Sequence, residues 1–273
     1  GLMQSGVAAS RAPITPAFMS LSELLNTFRA NDLSVAVPSG WMQGRTAYGG
    51  LSSAIALEAA RTIEDDLPPL KSGQIAFVGP IAETVTAKRR LLRRGKNTAF
   101  VQVELESQGG IGMIASFIFM NGRESSIAFD LVPNIELPPL PSDEETRSGP
   151  PEFFTSQLDY PDKRLELGKG NVHLANWHRL KEREGLDPMV ELMAIGDALP
   201  PAAMGAMEKP GPVSSMNWQF NLLTDAPETT DGWWWVDAEG HQAVDGSSSQ
   251  YMSLRNADGR PVMMGMQSVA IFV

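Results

Sequence analysis

Two long, almost entirely apolar helices constrain the fold of this chain more than any other feature. The segments LSSAIALEAARTI and PMVELMAIGDALPP both have the spacing of helices, and neither has a broad polar face. A helix that is apolar nearly all round must be covered on most sides. Each is followed by alternating apolar and polar segments joined by short glycine turns, a pattern typical of antiparallel hairpins. The sequence therefore predicts an α+β fold in which, twice over, an antiparallel sheet wraps around a long central helix.

A proline-rich and acidic segment, LVPNIELPPLPSDEETRSGPPEFF, separates the two copies of this pattern. It has no apolar periodicity and is typical of a linker. We therefore predict an N-terminal unit at 1–130, a linker at 131–154 and a C-terminal unit at 155–273. Both units end in similar apolar strands, MIASFIF and GMQSVAIF, so we expect their sheets to form one continuous surface. Exposed edges of such a sheet favour further pairing, which predicts a homo-oligomer.

Composition excludes several classes of function. The 273 residues contain no cysteine, so disulfides, thiolate chemistry and cysteine-ligated metals are excluded. A net charge of −10 argues against nucleic-acid binding, which needs clustered cations. No stretch approaches the roughly 18 apolar residues of a membrane span, and the first twenty residues lack the order of a signal peptide. We expect a cytoplasmic protein without a membrane partner.

One carboxylate stands out by its position. Asp187 and Pro188 form a helix start, with the aspartate as cap and the proline in the first turn. Asp197 then falls in the last turn of an apolar helix, before Pro200 ends it. The negative helix end and burial both raise the pKa of a carboxyl group there. Such an aspartate is a candidate catalytic base, and the alternative is a carboxylate that caps local backbone.

The motifs GRTAYGG, NWHRL, LDPM and GDALPPAA together resemble the double-hotdog acyl-CoA thioesterases of the acyl-CoA thioesterase II type. The resemblance runs from about residue 35 to the end, outside the linker. It implies two tandem hotdog folds and hydrolysis of an acyl-CoA thioester to a free acid and CoA. CoA would then enter as part of the substrate, and no metal or other cofactor is implied. Acyl-chain metabolism, as of fatty acids, is the expected context.

The resemblance also implies which side chains would hold a water molecule beside Asp197. Ser215 stands where the family has a threonine, and it keeps the hydroxyl. Gln267 lies in an otherwise apolar last strand and would be the third member of the group; the alternative is a core amide bonded to backbone. Asn217 departs from relatives that carry aspartate. The strand VSSMNWQFNLL itself predicts that Ser215 and Asn217 share one polar face with Gln219 and Asn221, a face that could simply meet solvent.

The glycines of GRTAYGG precede the first apolar helix. The amides of Gly49 and Gly50 would lie at its positive end and stabilise an oxyanion. The second glycine would let a thioester carbonyl approach, and Tyr48 would border the acyl or pantetheine channel. The alternative is tight packing that needs glycine. In this reading the first half supplies the oxyanion donors and the second half supplies the base.

Other features leave further alternatives open. The run KRRLLRRGK at 88–96 is either a solvated hairpin face or a site for CoA phosphates, with Lys88, Arg90, Arg93 and Arg94 as candidates. The WWW run at 233–235 predicts strand aromatics with at least one exposed ring.

Rival functions are a hotdog enoyl-CoA hydratase, which normally pairs aspartate with histidine, and a non-catalytic acyl-CoA-binding protein. The three histidines show no metal spacing and none lies near Asp197 in sequence.

Overall fold

The structure is a computed structural model that describes residues 19–161, 166 and 168–273. Residues 1–18 lie outside the described residues. They include most of the N-terminal segment in which the sequence predicted no signal peptide. Within the described ranges, no helix is both long enough and apolar enough to cross a membrane.

The described chain contains three α-helices and fifteen strands. The helices are α1 Leu21–Ala30, α2 Gly49–Arg61 and α3 Pro188–Gly196. The strands of the first half are β1 Ser34–Ala36, β2 Met42–Gln43, β3 Thr46–Ala47, β4 Leu70–Phe77, β5 Thr84–Arg94, β6 Thr98–Ser107 and β7 Gly110–Met120. The remaining strands are β8 Thr146–Arg147, β9 Leu158–Pro161, β10 His173–Leu180, β11 Val213–Ser215, β12 Asn217–Leu222, β13 Trp234–Val244, β14 Ser247–Arg255 and β15 Pro261–Ile271.

The described strands outside the β2–β3 hairpin form one continuous antiparallel sheet. Their order is β1-β5-β6-β7-β4-β12-β15-β14-β13-β10-β9-β8, and β11 also pairs with β15. The halves join where β4 pairs with β12, with Gln74 opposite Gln219. The predicted continuity of the two sheets is therefore confirmed.

The sheet wraps around the two apolar helices, as their composition requires. Every residue of α2 from Gly50 to Ala60 is buried, and most of α3 is buried too. The two helices also contact each other. The predicted start of α3 is confirmed: Asp187 Oδ1 accepts hydrogen bonds from the amides of Met189 at 2.9 Å and Val190 at 3.2 Å.

The structure departs from the sequence predictions in several local features. The helix α1 and the short strands β1 to β3 were not anticipated, and the predicted linker contains β8, which pairs with β9. The prediction of an exposed ring in the WWW run is wrong. Trp233 and Trp234 are each 2% exposed, and Trp235 is partly buried. Trp234 belongs to the hydrophobic core, the Arg179 guanidinium lies 4.4 Å from the centre of the Trp233 ring, and Trp235 packs edge-on against Trp177.

Candidate active site

Asp197 follows the last residue of α3 and faces the start of α2. A Cβ atom added to Gly49 would lie 2.2 Å from Asp197 Oδ2, so the carboxylate sits directly against the glycine backbone. Because Gly49 begins the helix of the first half and Asp197 ends the helix of the second, this contact joins the two halves.

A cavity of about 450 Å³ opens at this junction. Gly49, Phe77 and Thr46 line it from the first half, and Asp197, Ser215 and Gln267 line it from the second. Among the described residues that line the cavity, Asp197 has the one acidic or basic side chain. The cavity wall is therefore mixed apolar and polar, with a single carboxylate.

A hydrogen-bonded group surrounds that carboxylate. Gln267 Nε2 donates to Asp197 Oδ1 at 2.9 Å, and Ser215 Oγ donates to Gln267 Oε1 at 3.5 Å. The structure thus brings together the three residues that the sequence analysis selected. Among the described residues Asp197 Oδ2 has no hydrogen-bond partner, and it lies against Gly49, which also lines the cavity.

Burial controls the charge state of Asp197. Desolvation raises the pKa of this carboxyl from 3.8 to about 7, and the hydrogen bond from Gln267 lowers it in part. A base with a pKa near the working pH exists partly as the carboxylate and can also retain the proton that it accepts. The carboxyl is therefore suited to proton transfer near neutral pH.

An irregularity in the strand pairing gives Ser215 its orientation. Ser215 pairs with Val269 and Gln219 pairs with Met266, so β11 and β12 contain one more residue than the facing part of β15. This β-bulge changes the alternation of the strand. The prediction that Ser215 and Asn217 share one face is therefore wrong. Ser215 reaches Gln267, whereas the exposed Asn217 accepts a hydrogen bond from the Ser268 amide at 2.8 Å.

The glycines and the tyrosine of the GRTAYGG motif have different environments. Gly49 lines the cavity. Gly50 is buried, and a Cβ atom there would lie 2.7 Å from the Ala194 carbonyl oxygen and 2.5 Å from the Tyr48 ring. The close approach at Gly50 is therefore that of α3 and Tyr48, which matches the packing alternative.

Tyr48 lies in the core and not among the residues that line the cavity. It is 1% exposed, its ring stacks on Phe154 at 4.2 Å between centroids, and its hydroxyl donates to the Ala194 carbonyl at 2.8 Å. That carbonyl belongs to the last turn of α3, where backbone acceptors lack helical partners. Tyr48 thus holds the end of α3 against the start of α2. Its predicted contact with an acyl channel stays a prediction, and its burial does not favour it.

Most of the basic run lies on β5, and none of its residues lines the cavity. Arg94 Nε contacts Glu64 Oε2 at 2.8 Å, and Lys88 Nζ contacts Glu106 Oε1 at 2.9 Å. The binding of CoA phosphates by Arg94 stays a prediction, and its pairing with Glu64 does not favour it. Arg45, which the sequence analysis did not select, is exposed in the β2–β3 hairpin between the cavity-lining residues Gln43 and Thr46.

None of the three histidines is among the residues that line the cavity beside Asp197. His178 is buried on β10, and desolvation lowers its pKa to about 4. His173 Nε2 contacts Asp237 at 2.9 Å beside a separate cavity. No group of three or more potential ligands from His, Asp and Glu is placed to hold a metal ion within the described ranges.

One buried residue beside the site was missed. Gln250, on β14, donates from Nε2 to Gln267 Oε1 at 3.2 Å. Its position among serines in SSSQYMSLR gives no sequence signal, since its pairing with β15 depends on the tertiary register.

Two central helices enclosed by one continuous antiparallel sheet define a double-hotdog protein, with a carboxylate site where the halves meet. Solved structures agree. A hotdog-fold protein of unknown function from Alicyclobacillus acidocaldarius gives a TM-score of 0.74 at 18% identity, covering 88% of this chain and 92% of its own. The tesB protein of Mycobacterium avium subs paratuberculosis gives a TM-score of 0.67 at 18% identity, covering 92% of this chain and 100% of its own. An acyl-CoA thioesterase II from Mycobacterium marinum gives a TM-score of 0.59 at 18% identity, covering 82% of this chain and 89% of its own.

Family models identify the chain more specifically. The acyl-CoA thioesterase N-terminal domain matches residues 37–120, and the acyl-CoA thioesterase C-terminal domain matches residues 135–271. The chain belongs to the acyl-CoA thioesterase family. A search of curated proteins found no significant match.

Proposed function

We propose that this protein hydrolyses an acyl-CoA thioester to a free acid and CoA, using a water molecule activated by Asp197. The hydrogen-bonded group of Asp197, Gln267 and Ser215 in the cavity between the halves carries this proposal. Family membership supports the reaction class, and the site geometry supports the residue roles.

The reaction needs a base, a positioned water and a stabilised oxyanion. Asp197 Oδ2 accepts a proton from water as the water oxygen bonds to the thioester carbonyl carbon. The carbon–sulfur bond then breaks, and the proton on Asp197 neutralises the departing CoA thiolate. Ser215 and Gln267 hold the water and the carboxylate in position.

The oxyanion site is assigned to the start of α2. The amides of Leu51 and Ser52 bond to the Tyr48 carbonyl at 3.1 and 3.3 Å, so the amides of Gly49 and Gly50 remain as donors among the described residues. Unpaired amides at a helix start favour negative charge. Since Gly49 lines the cavity, its amide is the first candidate donor and that of Gly50 the second.

The CoA phosphates need a cation near the cavity because the chain carries a net charge of −10. Arg45, which adjoins the cavity-lining residues, joins Lys88, Arg90, Arg93 and Arg94 of the basic run as a candidate, and Arg94 is the member compared with it. Arg45→Ala should raise KM several-fold and weaken its dependence on salt, whereas Arg94→Ala should change neither, because Glu64 already pairs with Arg94. The reverse result would assign the phosphates to Arg94.

The test of the proposed reaction is release of free thiol from a panel of acyl-CoAs, run beside an absorbance assay for enoyl-CoA hydration. Thiol release by the wild type, reduced in Asp197→Asn, supports the thioesterase. Hydration without thiol release would identify the rival hydratase. Saturable binding without either reaction would identify a non-catalytic acyl-CoA-binding protein.

A further inference from the structure

Three hydrogen bonds connect a backbone amide to Asp197 through two buried glutamines. The Ala202 amide donates to Gln250 Oε1 at 2.8 Å, and Gln250 Nε2 donates to Gln267 Oε1 at 3.2 Å. Gln267 Nε2 then donates to Asp197 Oδ1 at 2.9 Å. Gln250 and Gln267 are each 2% exposed, and the proposed mechanism gives no role to Gln250.

The first member of this series fixes the direction of the others. A backbone N–H can only donate, whereas a glutamine amide has one accepting end and one donating end. The Ala202 amide therefore holds Gln250 with its oxygen toward Ala202 and its nitrogen toward Gln267. Gln267 must then turn its oxygen toward Gln250 and its nitrogen toward Asp197.

We propose that Gln250 is a positioning residue that fixes the orientation of the Gln267 amide, so that Gln267 always presents an N–H donor to the Asp197 carboxylate. Without Gln250, Gln267 Oε1 keeps only the long contact with Ser215 Oγ at 3.5 Å. The Gln267 amide can then rotate and place its oxygen against Asp197 Oδ1. Two facing oxygens repel when the carboxylate is charged, so this rotation favours the protonated acid.

Few other groups influence the charge of Asp197. Tyr48, which immediately precedes α2, is the titratable group that interacts with it from the first half, and burial raises the pKa of that phenol well above its usual value. Tyr48 is therefore neutral in the pH range of interest. Since the described cavity wall adds no further charged side chain, a change in the pKa of Asp197 reports on the Gln267 hydrogen bond.

The inference rests on the proposed function for its kinetic test. Gln250→Leu should move the acidic limb of the pH profile upward by about one unit and thereby lower kcat/KM near pH 7 about fivefold. The limb moves upward because loss of an N–H donor raises the pKa of the base. Met252→Leu, a size-conserving change two residues along the same buried face of β14, should leave both quantities unchanged.

A double-mutant cycle separates positioning from general damage. Gln250→Leu should have no further effect on kcat/KM or the pH profile in a Gln267→Leu background, because its action passes through Gln267. An effect of equal size in both backgrounds would overturn the proposal, as would an unchanged pH profile in a folded Gln250→Leu protein.

A measurement on the wild type covers the case in which Gln250→Leu does not fold, and it needs no substrate. The side-chain amide NMR signals of both glutamines should shift with pH around the pKa of Asp197, and the shifts should vanish in Asp197→Asn. A titrating Gln267 signal with a constant Gln250 signal would overturn the proposal. Titration of both signals in a protein that releases no thiol would support the positioning role of Gln250 and reject only the proposed reaction.

Discussion

At the scale of single residues, Asp197 is governed by opposing effects. Burial raises its pKa to about 7, and the Gln267 hydrogen bond opposes this change. A hydrophobic residue would fill the end of α3 at lower energetic cost, so the charged carboxylate destabilises the folded state. Its place in a cavity, hydrogen-bonded to Gln267, which in turn accepts from Ser215, is consistent with a functional role.

The first prediction concerns stability and pH. Because the folded pKa lies above the unfolded value of 3.8, folding binds a proton between these values. The stabilising contribution is complete below about pH 4 and is lost as pH rises to about 7. The free energy of unfolding of the wild type, relative to Asp197→Asn, should fall across this window on the order of 1 kcal/mol per pH unit.

Denaturant unfolding of both proteins at several pH values measures that difference. Comparison with Asp197→Asn cancels the contributions of groups that titrate equally in the two proteins. A difference that stays constant between pH 4 and 7 would show that the pKa of Asp197 is not raised.

The second prediction distinguishes the two adjacent glycines. At Gly49 an added Cβ meets the carboxylate of Asp197 at 2.2 Å and the Phe77 ring at 3.0 Å, both of them side chains, so Gly49→Ala should displace the carboxylate and abolish most turnover with a smaller loss of stability than Gly50→Ala. At Gly50 the Cβ meets backbone at 2.7 Å, so Gly50→Ala should lower the free energy of unfolding by about 1–3 kcal/mol. Thermal melts and thiol-release rates of the pair test this contrast, and equal stability losses would contradict it.

At the scale of elements, the sequence predicted much of the fold and part of the site. The apolar helices and alternating strands were accessible because their periodicity depends on local sequence. The bulge before Asn217 was not accessible from the sequence. Met216 and Asn217 are exposed in succession because of the way β11 and β12 pair with β15. Gln250 and Arg45 were missed for the same reason: only the tertiary arrangement brings them near Asp197 or the cavity wall. The domain boundaries at 130 and 155 stay predictions.

The third prediction concerns the strands that join the halves. Each of β4 and β12 has strands on both sides, so their amides should exchange with solvent only through global unfolding. Amides of β1 and β8, at the two ends of the described sheet order, should exchange much faster. Native-state hydrogen exchange measures this, and rapid exchange in β12 would mean that the halves separate without unfolding.

At the scale of the whole molecule, the two ends of the helix pair are chemically different. At one end α3 finishes with Asp197 beside the cavity. At the other end Arg61 of α2 contacts Asp187 at 3.2 Å and Glu58 at 2.9 Å, and Arg29 also pairs with Glu58 at 2.6 Å. Glu58, a buried carboxylate of α2, is held in these ion pairs. The duplicated fold therefore presents one candidate site in its described part.

The fourth prediction is that the protein is a homo-oligomer. Three apolar side chains that follow β7 are strongly exposed: Ile127 by 69%, Phe129 by 79% and Leu131 by 83%. Exposure of three neighbouring apolar side chains to water is unfavourable and unusual. Light scattering should give a mass above that of one chain, and a Phe129→Ser/Leu131→Ser variant should have a lower mass. A wild type that is monomeric at micromolar concentration would contradict this expectation.

Turnover of Asp197→Asn tests the central claim most directly. The variant should fold normally, and thiol release should fall about 10²–10⁴-fold, the usual contribution of a general base. Ser215→Ala and Gln267→Ala should each cost less, and their double mutant should be less than additive because both hold the same water. The measurement is the rate of thiol release at saturating acyl-CoA by the folded wild type and Asp197→Asn. A loss of at least a hundredfold supports Asp197 as the base, and near-normal turnover would contradict that assignment and make Glu58 the next residue to replace.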